Sequence, residues 1–168
     1  MKSVLLITNI PNPYRVPLFN KLNESLRQQG RHFKVLFAAN GYARRKFELD
    51  YSEIQFNYDI LSSRNIIIGN SEGVLFTYNG LLKSFNRFNP DVAIITGFSI
   101  GTLKLFLRSL VRMTNYIIWA GSIQNCYHPA SFFRKTFRKI LISRAKAFIA
   151  YGAKAKEYFM SLGVPESR

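Results

Sequence analysis

Short β-branched, apolar runs alternate with segments of helical period along nearly the whole chain, and this alternation restricts the fold more than any other feature. Ser3–Thr8 (SVLLIT) has the continuous apolar character of a buried strand. Residues 14–29 follow with Val16, Phe19, Leu22 and Leu26 at helical spacing, and Gly30 supplies a stop. Further strands are predicted at 32–38, 91–96, 116–119 and 147–150, and further helices at 73–88, 100–113, 129–143 and 154–162. The helix at 73–88 is drawn from Val74, Tyr78, Leu81, Leu82 and Phe85 on one face, closed by Asn89-Pro90. Residues 39–65 are less regular, with an Asn40-Gly41 turn, a basic loop at 42–48 and an alternating strand at 54–60. Strands and helices that take turns imply an α/β architecture: a doubly wound, Rossmann-like parallel sheet, forming a single domain over residues 1–168. In such sheets ligands bind beyond the carboxyl ends of the strands, which places the loops at 9–15, 39–46, 97–101, 120–128 and 151–152 on the functional rim.

Charge narrows the class of partner. The 168 residues carry 24 Lys+Arg against 9 Asp+Glu, a formal net charge of +15, while 48% are apolar and can supply a core. That balance points to a nucleic acid, an anionic membrane surface or a phosphorylated substrate. The excess is uneven: residues 1–98 hold 12 basic and 7 acidic side chains, whereas residues 99–168 hold 12 basic ones with Glu157 and Glu166 as the acids. Lys104, Arg108 and Arg112 fall at i, i+4 and i+8 on the helix 100–113, and Arg134, Lys135, Arg138 and Lys139 repeat the pattern on the helix 129–143. With apolar side chains on their remaining surface, both helices are expected to pack on the core and present cations to anionic headgroups.

A lone Cys126 excludes an internal disulfide framework and favours a reducing compartment. No apolar run approaches the roughly 20 residues of a membrane-spanning helix, and the first 15 residues lack the pattern of a secretory signal. The expected location is cytoplasmic, peripheral to the inner face of the cell membrane.

The residues that could carry chemistry are few. Loop 9–15 contains no glycine, so it is neither a dinucleotide fingerprint nor a Walker loop. Pro11 and Pro13 stiffen it, Asn12 is polar, and Tyr14 and Arg15 offer a stacking ring and an anion clamp at the start of a helix. Gly97, Ser99, Ser122 and His128 lie after predicted strands on the same rim, and with Asn12, Pro13, Tyr14 and Arg15 they form the candidate ligand-binding set. His32 reads as structural. No Ser/His/acid arrangement suggests a triad, and Asp50, Asp59 and Asp91 are too scattered for a metal cluster, so no catalytic residue, cofactor or metal is assigned to this domain.

Three stretches bear a resemblance to a known family. Residues 7–19 (ITNIPNPYRVPLF), Phe88-Asn89-Pro90-Asp91-Val92 with Gly97, and residues 143–165 (SRAKAFIAYGAKAKEYFMSLGVP) are similar to the N-terminal domain of GT-B fold retaining glycosyltransferases of the family-four type. The resemblance implies an acceptor-binding half of an enzyme that moves a sugar from a nucleotide-diphosphate sugar to a glycolipid or polysaccharide acceptor, and it makes the candidate rim set Asn12, Pro13, Tyr14, Arg15, Gly97, Ser99, Ser122 and His128 acceptor-binding. It further implies a C-terminal donor domain, with a Glu-x7-Glu motif, that these 168 residues do not include. Residues 163–168 read as a helix exit leading toward another strand, which fits a longer protein, and the half alone is expected to be inactive. Many relatives place a histidine after the strand equivalent to 116–119, where this chain has Trp119-Ala120-Gly121-Ser122. Two other readings remain open: a basic nucleic-acid-binding module, although no docking motif for nucleic acid is present, and a small Rossmann-like regulatory domain.

Overall fold

A computed structural model describes residues 2–41, 49–67, 74–121 and 132–168. Six strands form one sheet: β1 (Ser3–Thr8), β2 (His32–Phe37), β3 (Asn57–Ile60), β6 (Val92–Thr96), β7 (Tyr116–Ala120) and β8 (Ala147–Ala150), in the order β3-β2-β1-β6-β7-β8. The pairs β1–β2, β2–β3 and β7–β8 are parallel, with Ser3 opposite His32, Lys34 opposite Asn57 and Ile117 opposite Ala147. The helices are α1 (Val16–Gln28), α2 (Leu81–Phe88), α3 (Ile100–Val111), α4 (Phe132–Ser143) and α5 (Ala153–Ser161). The α/β, doubly wound, Rossmann-like class expected from the alternating pattern is the observed one. The chain divides into two compact units, Met1–Ala93 and Ile94–Arg168.

In the first unit β1 is buried on both faces from Val4 to Thr8, which is why its sequence reads as a run rather than an alternation. Leu6, Ile7 and Thr8 stand opposite Val35, Leu36 and Phe37 of β2, and all six are buried. Pro17 occupies the first turn of α1, where its missing N–H costs nothing. Phe19 of that helix packs edge-on against Phe56, with ring centroids 5.7 Å apart, and Phe33 meets the same ring at 6.2 Å.

The segment 73–88 departs from expectation. Val74–Phe76 forms β5, paired antiparallel with β4 (Asn65–Ile67), and helix begins only at Leu81. Val74, Phe76 and Tyr78 also satisfy a period of two, so the apolar pattern alone could not separate strand from helix. Backbone chemistry decides it: Tyr78 has φ +50° and Gly80 φ +79°, conformations that a helix interior excludes. The expected strand at 54–60 shortens to Asn57–Ile60, because Tyr51–Glu53 closes a 3-10 turn capped by the Asp50 carboxylate.

In the second unit, Ile95, Leu105, Tyr116, Ile118 and Leu141 are fully buried. The Tyr116 hydroxyl donates to the Leu141 carbonyl at 2.6 Å, and burial pushes its pKa up to about 12. A reciprocal capping box starts α3, in which Ser99 Oγ accepts from the Thr102 N–H while Thr102 Oγ1 accepts from the Ser99 N–H. Helix α3 ends at Val111, two residues before the predicted stop, and the first three residues of the predicted helix 129–143 lie outside the described residues.

Candidate functional site

The first unit offers one loop at the carboxyl end of β1. Arg15 ends the 3-10 turn Pro13–Arg15, and its N–H is anchored on the Asn12 carbonyl at 2.9 Å. Its guanidinium reaches back to the buried Thr8 Oγ1 at 3.2 Å and lies 5.6 Å from the centroid of the Tyr14 ring. Tyr14 itself is 72% exposed. Asn12 donates to the Ile10 carbonyl at 3.4 Å. The preceding residue, Asn9, is held twice: its side-chain oxygen accepts from the Tyr78 hydroxyl at 2.6 Å and its carbonyl from the Ala39 N–H at 3.0 Å. The structure thus brings Asn12, Pro13, Tyr14 and Arg15 together as one braced turn, presenting a ring and a cation beside each other. A planar guanidinium and an aromatic face can grip an anionic group and an apolar one at once.

In the second unit Gly97 follows β6 with φ +73°, a left-handed turn that glycine adopts without strain. Its N–H donates to the Trp119 carbonyl at 2.9 Å, and its carbonyl accepts from Thr102 Oγ1 at 2.7 Å. Ser99 is engaged in capping α3. Ser122 and His128 lie outside the described residues, as do Cys126 and the basic loop 42–48.

The seven basic candidates on α3 and α4 separate into different environments. The Arg108 guanidinium folds over the end of α3 onto the Met113 carbonyl and Thr114 Oγ1, and burial followed by repulsion from Arg112 lowers its pKa. Arg138 sits 5.0 Å from the Phe98 ring and 5.3 Å from the Tyr158 ring, and donates to the Tyr158 hydroxyl. These two cations brace the unit. Arg112, Arg134, Lys135 and Lys139 are exposed, and Lys104 is half-buried.

Sequence reasoning missed where the apolar side chains of these helices point. Val111 is 80% and Met113 92% exposed, with Leu107 and Leu110 also open to solvent; on α4, Phe132 is 79% and Phe133 82% exposed. Helical spacing had assigned most of such residues to a core. A cue was available in their number, since α3 is apolar around most of its circumference and a helix on a sheet buries only one stripe.

A second feature missed from sequence lies at the ends of β7 and β8. Trp119 and Tyr151 stack with ring centroids 5.3 Å apart and planes inclined by 24°. A shallow hollow beside α1, lined by Asn23, Arg27, Gln55 and Asn57, lies instead near the start of β2. Among the described residues no three His, Cys, Asp or Glu side chains gather as metal ligands, and no helix is long and apolar enough to cross a membrane.

With this geometry in view, the chain can be set against known proteins. It aligns with a Neisseria meningitidis UDP-GlcNAc 2-epimerase bound to UDP-GlcNAc over 99% of its own length and 44% of that chain, at 14% identity and a TM-score of 0.57. It aligns with the S. aureus MnaA–UDP co-structure over 99% and 42%, at 19% identity and a TM-score of 0.58. Acinetobacter baumannii MurG aligns over 92% and 42%, at 15% identity and a TM-score of 0.53. The fold is GT-B-like. This GT-B-like chain spans less than half the length of each of those structures. The sequence itself matches no family model and no curated protein.

Proposed function

We propose that this chain is the acceptor-binding, N-terminal half of a GT-B glycosyltransferase of the retaining, family-four type. The full enzyme would move a sugar from a nucleotide-diphosphate sugar, bound mainly by a C-terminal donor domain, to a glycolipid or polysaccharide acceptor. The observation that carries this reading is the braced turn at the end of β1, where Arg15 is tied to Thr8 and set beside the exposed ring of Tyr14. A lipid-linked glycan carries phosphate next to apolar and sugar groups, so one cation beside one ring suits it. Catalysis by this half would consist of holding the acceptor hydroxyl in line, a positioning effect that can supply several kcal/mol of a barrier. Stabilisation of the diphosphate leaving group would belong to the other domain.

The proposed place of work is the cytoplasmic face of the membrane. Residues 99–156 hold 11 Lys/Arg and no acid, and α3 and α4 expose Val111, Met113, Phe132 and Phe133 beside Arg112, Arg134 and Lys135. Apolar side chains ringed by cations suit anionic headgroups over an acyl layer, with about 1 kcal/mol contributed per engaged cation. Nucleic acid fits less well, because these aromatic side chains cluster at one helix end rather than along a groove.

Calorimetric titration of the chain tests the reading. A short-chain polyprenyl-diphosphate-linked N-acetylglucosamine should bind, and Arg15→Ala should weaken it about tenfold or more. Equal binding by the Arg15→Ala variant contradicts the acceptor role. A second reading, half of a nucleotide-sugar epimerase, is favoured by the UDP-GlcNAc 2-epimerase structure that aligns above; binding of UDP-GlcNAc without any lipid-linked ligand would support it instead.

A further inference from the structure

We infer that the stacked Trp119–Tyr151 pair is a platform for a sugar ring of the acceptor, an inference that rests on the acceptor reading above. Trp119 is the penultimate residue of β7, and Tyr151 is the first residue after β8, so both lie at carboxyl ends of neighbouring parallel strands. That is the edge at which open α/β sheets bind ligands. Along β7 the side chains of Tyr116, Ile118 and Ala120 are buried, and the pleat sends Trp119 to the opposite face. The Tyr151 N–H donates to the Ala120 carbonyl at 3.3 Å, which extends the ladder one step and fixes the tyrosine backbone. Tyr151 is 51% exposed at the end of an edge strand.

Gly121 shows that the arrangement is built into the chain. A Cβ at this position would lie 2.8 Å from Cδ2 of the Tyr151 ring, closer than side-chain carbons approach. The φ of Gly121 lies outside the left-handed range that favours glycine, so space for the ring is the need that this residue meets. On the other side, Gly97 donates its N–H to the Trp119 carbonyl and holds the strand end against the β6 turn. Each ring covers one face of the other, with planes inclined by 24°, and the half-exposed Tyr151 leaves apolar ring surface beside solvent. A pyranose has apolar C–H faces and a rim of hydroxyls; its polarised C–H groups are attracted to the negative face of an aromatic ring. A sugar can therefore lie on the pair while its hydroxyls remain in water or meet polar neighbours.

Trp119 is the only tryptophan of the sequence, so its emission reports on this place alone. The intact chain is titrated with methyl glycosides of glucose, galactose and N-acetylglucosamine, and with uridine, following Trp119 emission and saturation-transfer NMR. The expected result is a saturable change in emission with at least one glycoside. Tyr151→Ala should weaken that binding about fivefold or more, Gly121→Ala should do the same by displacing the ring, and Tyr151→Phe should retain it. Circular dichroism of each variant separates a lost platform from a lost fold, and Tyr151→Phe keeps the comparison usable if either alanine variant unfolds. A glycoside that binds equally well to Tyr151→Ala without altering Trp119 emission overturns the platform while the acceptor reading stands. Absence of any glycoside signal also overturns it, and Trp119 quenching by uridine alone would assign the pair to a nucleoside. The acceptor reading is judged apart from all of these, by the lipid-linked ligand and Arg15→Ala.

Discussion

The fully buried Tyr78 donates its hydroxyl hydrogen to the side-chain oxygen of Asn9 at 2.6 Å, across 69 residues of sequence. This bond joins the turn before α2 to the residue that opens the proposed acceptor loop. Tyr78→Phe removes it and leaves the ring in place. The expected loss is about 1 kcal/mol of stability in urea unfolding, with an unchanged m-value. Acceptor binding should weaken with it, whereas unchanged stability would mean that the bond does not brace the loop.

That relationship also marks the limit of what the sequence displayed. Strand β1, helix α1 and the run from β6 to β8 were legible because their apolar residues keep one period and end at Gly30, Asn89-Pro90 or Gly97. The stretch from Val74 to Tyr78 was not, because its apolar residues fit two periods and only the positive φ of Tyr78 and Gly80 separates them. Within the candidate site, the turn 12–15 could be read from its prolines and from the family resemblance. The Trp119–Tyr151 stack could not, since it depends on the register of two strands 31 residues apart and on space left by Gly121. Arg108 and Arg138 were read as solvent-facing cations, and only the fold shows the Thr114 hydroxyl and the two rings that engage them.

Arg138 should behave as a packing cation. Arg138→Ala is expected to cost about 1 kcal/mol, and Arg138→Lys should restore only part, because an ammonium lacks the planar face that lies against Phe98 and Tyr158. Paired substitution of the exposed Lys135 and Lys139 by alanine should leave stability unchanged and reduce sedimentation with vesicles containing phosphatidylglycerol. The reverse pattern would place the membrane-facing charge on Arg138 instead.

Tyr116 sets an alkaline limit. Its folded pKa of about 12 lies above the ordinary value of 10.0, so the neutral form is the one the fold prefers. The contribution is fully present below pH 10 and is lost between pH 10 and about 12, as the unfolded chain sheds a proton that the folded chain keeps. Stability should fall over that window by on the order of 2 kcal/mol, and Tyr116→Phe should abolish this part of the fall. A wild-type profile that matches the phenylalanine variant would contradict it.

Asp91 acts at the acid end. Its carboxylate accepts from the Ser3 N–H at 2.6 Å and from the Ser3 hydroxyl at 3.1 Å, and these bonds hold its pKa below the ordinary 3.8. Because the folded value is the lower one, the stabilisation is present above pH 3.8 and disappears as pH falls through the folded value. NMR titration should place the Asp91 midpoint below 3.8, and Ser3→Ala should raise it by removing the hydroxyl donor while the N–H remains.

The most direct test of the acceptor-half reading is a backbone-amide NMR titration of the intact chain. It uses short-chain polyprenyl-diphosphate-linked N-acetylglucosamine in one series and UDP-GlcNAc in the other. The account predicts saturable shifts at Asn12, Tyr14 and Arg15 with the lipid-linked ligand, abolished by Arg15→Ala, and far weaker shifts with UDP-GlcNAc. Saturation by UDP-GlcNAc with the 12–15 turn undisturbed by the lipid-linked ligand would contradict it.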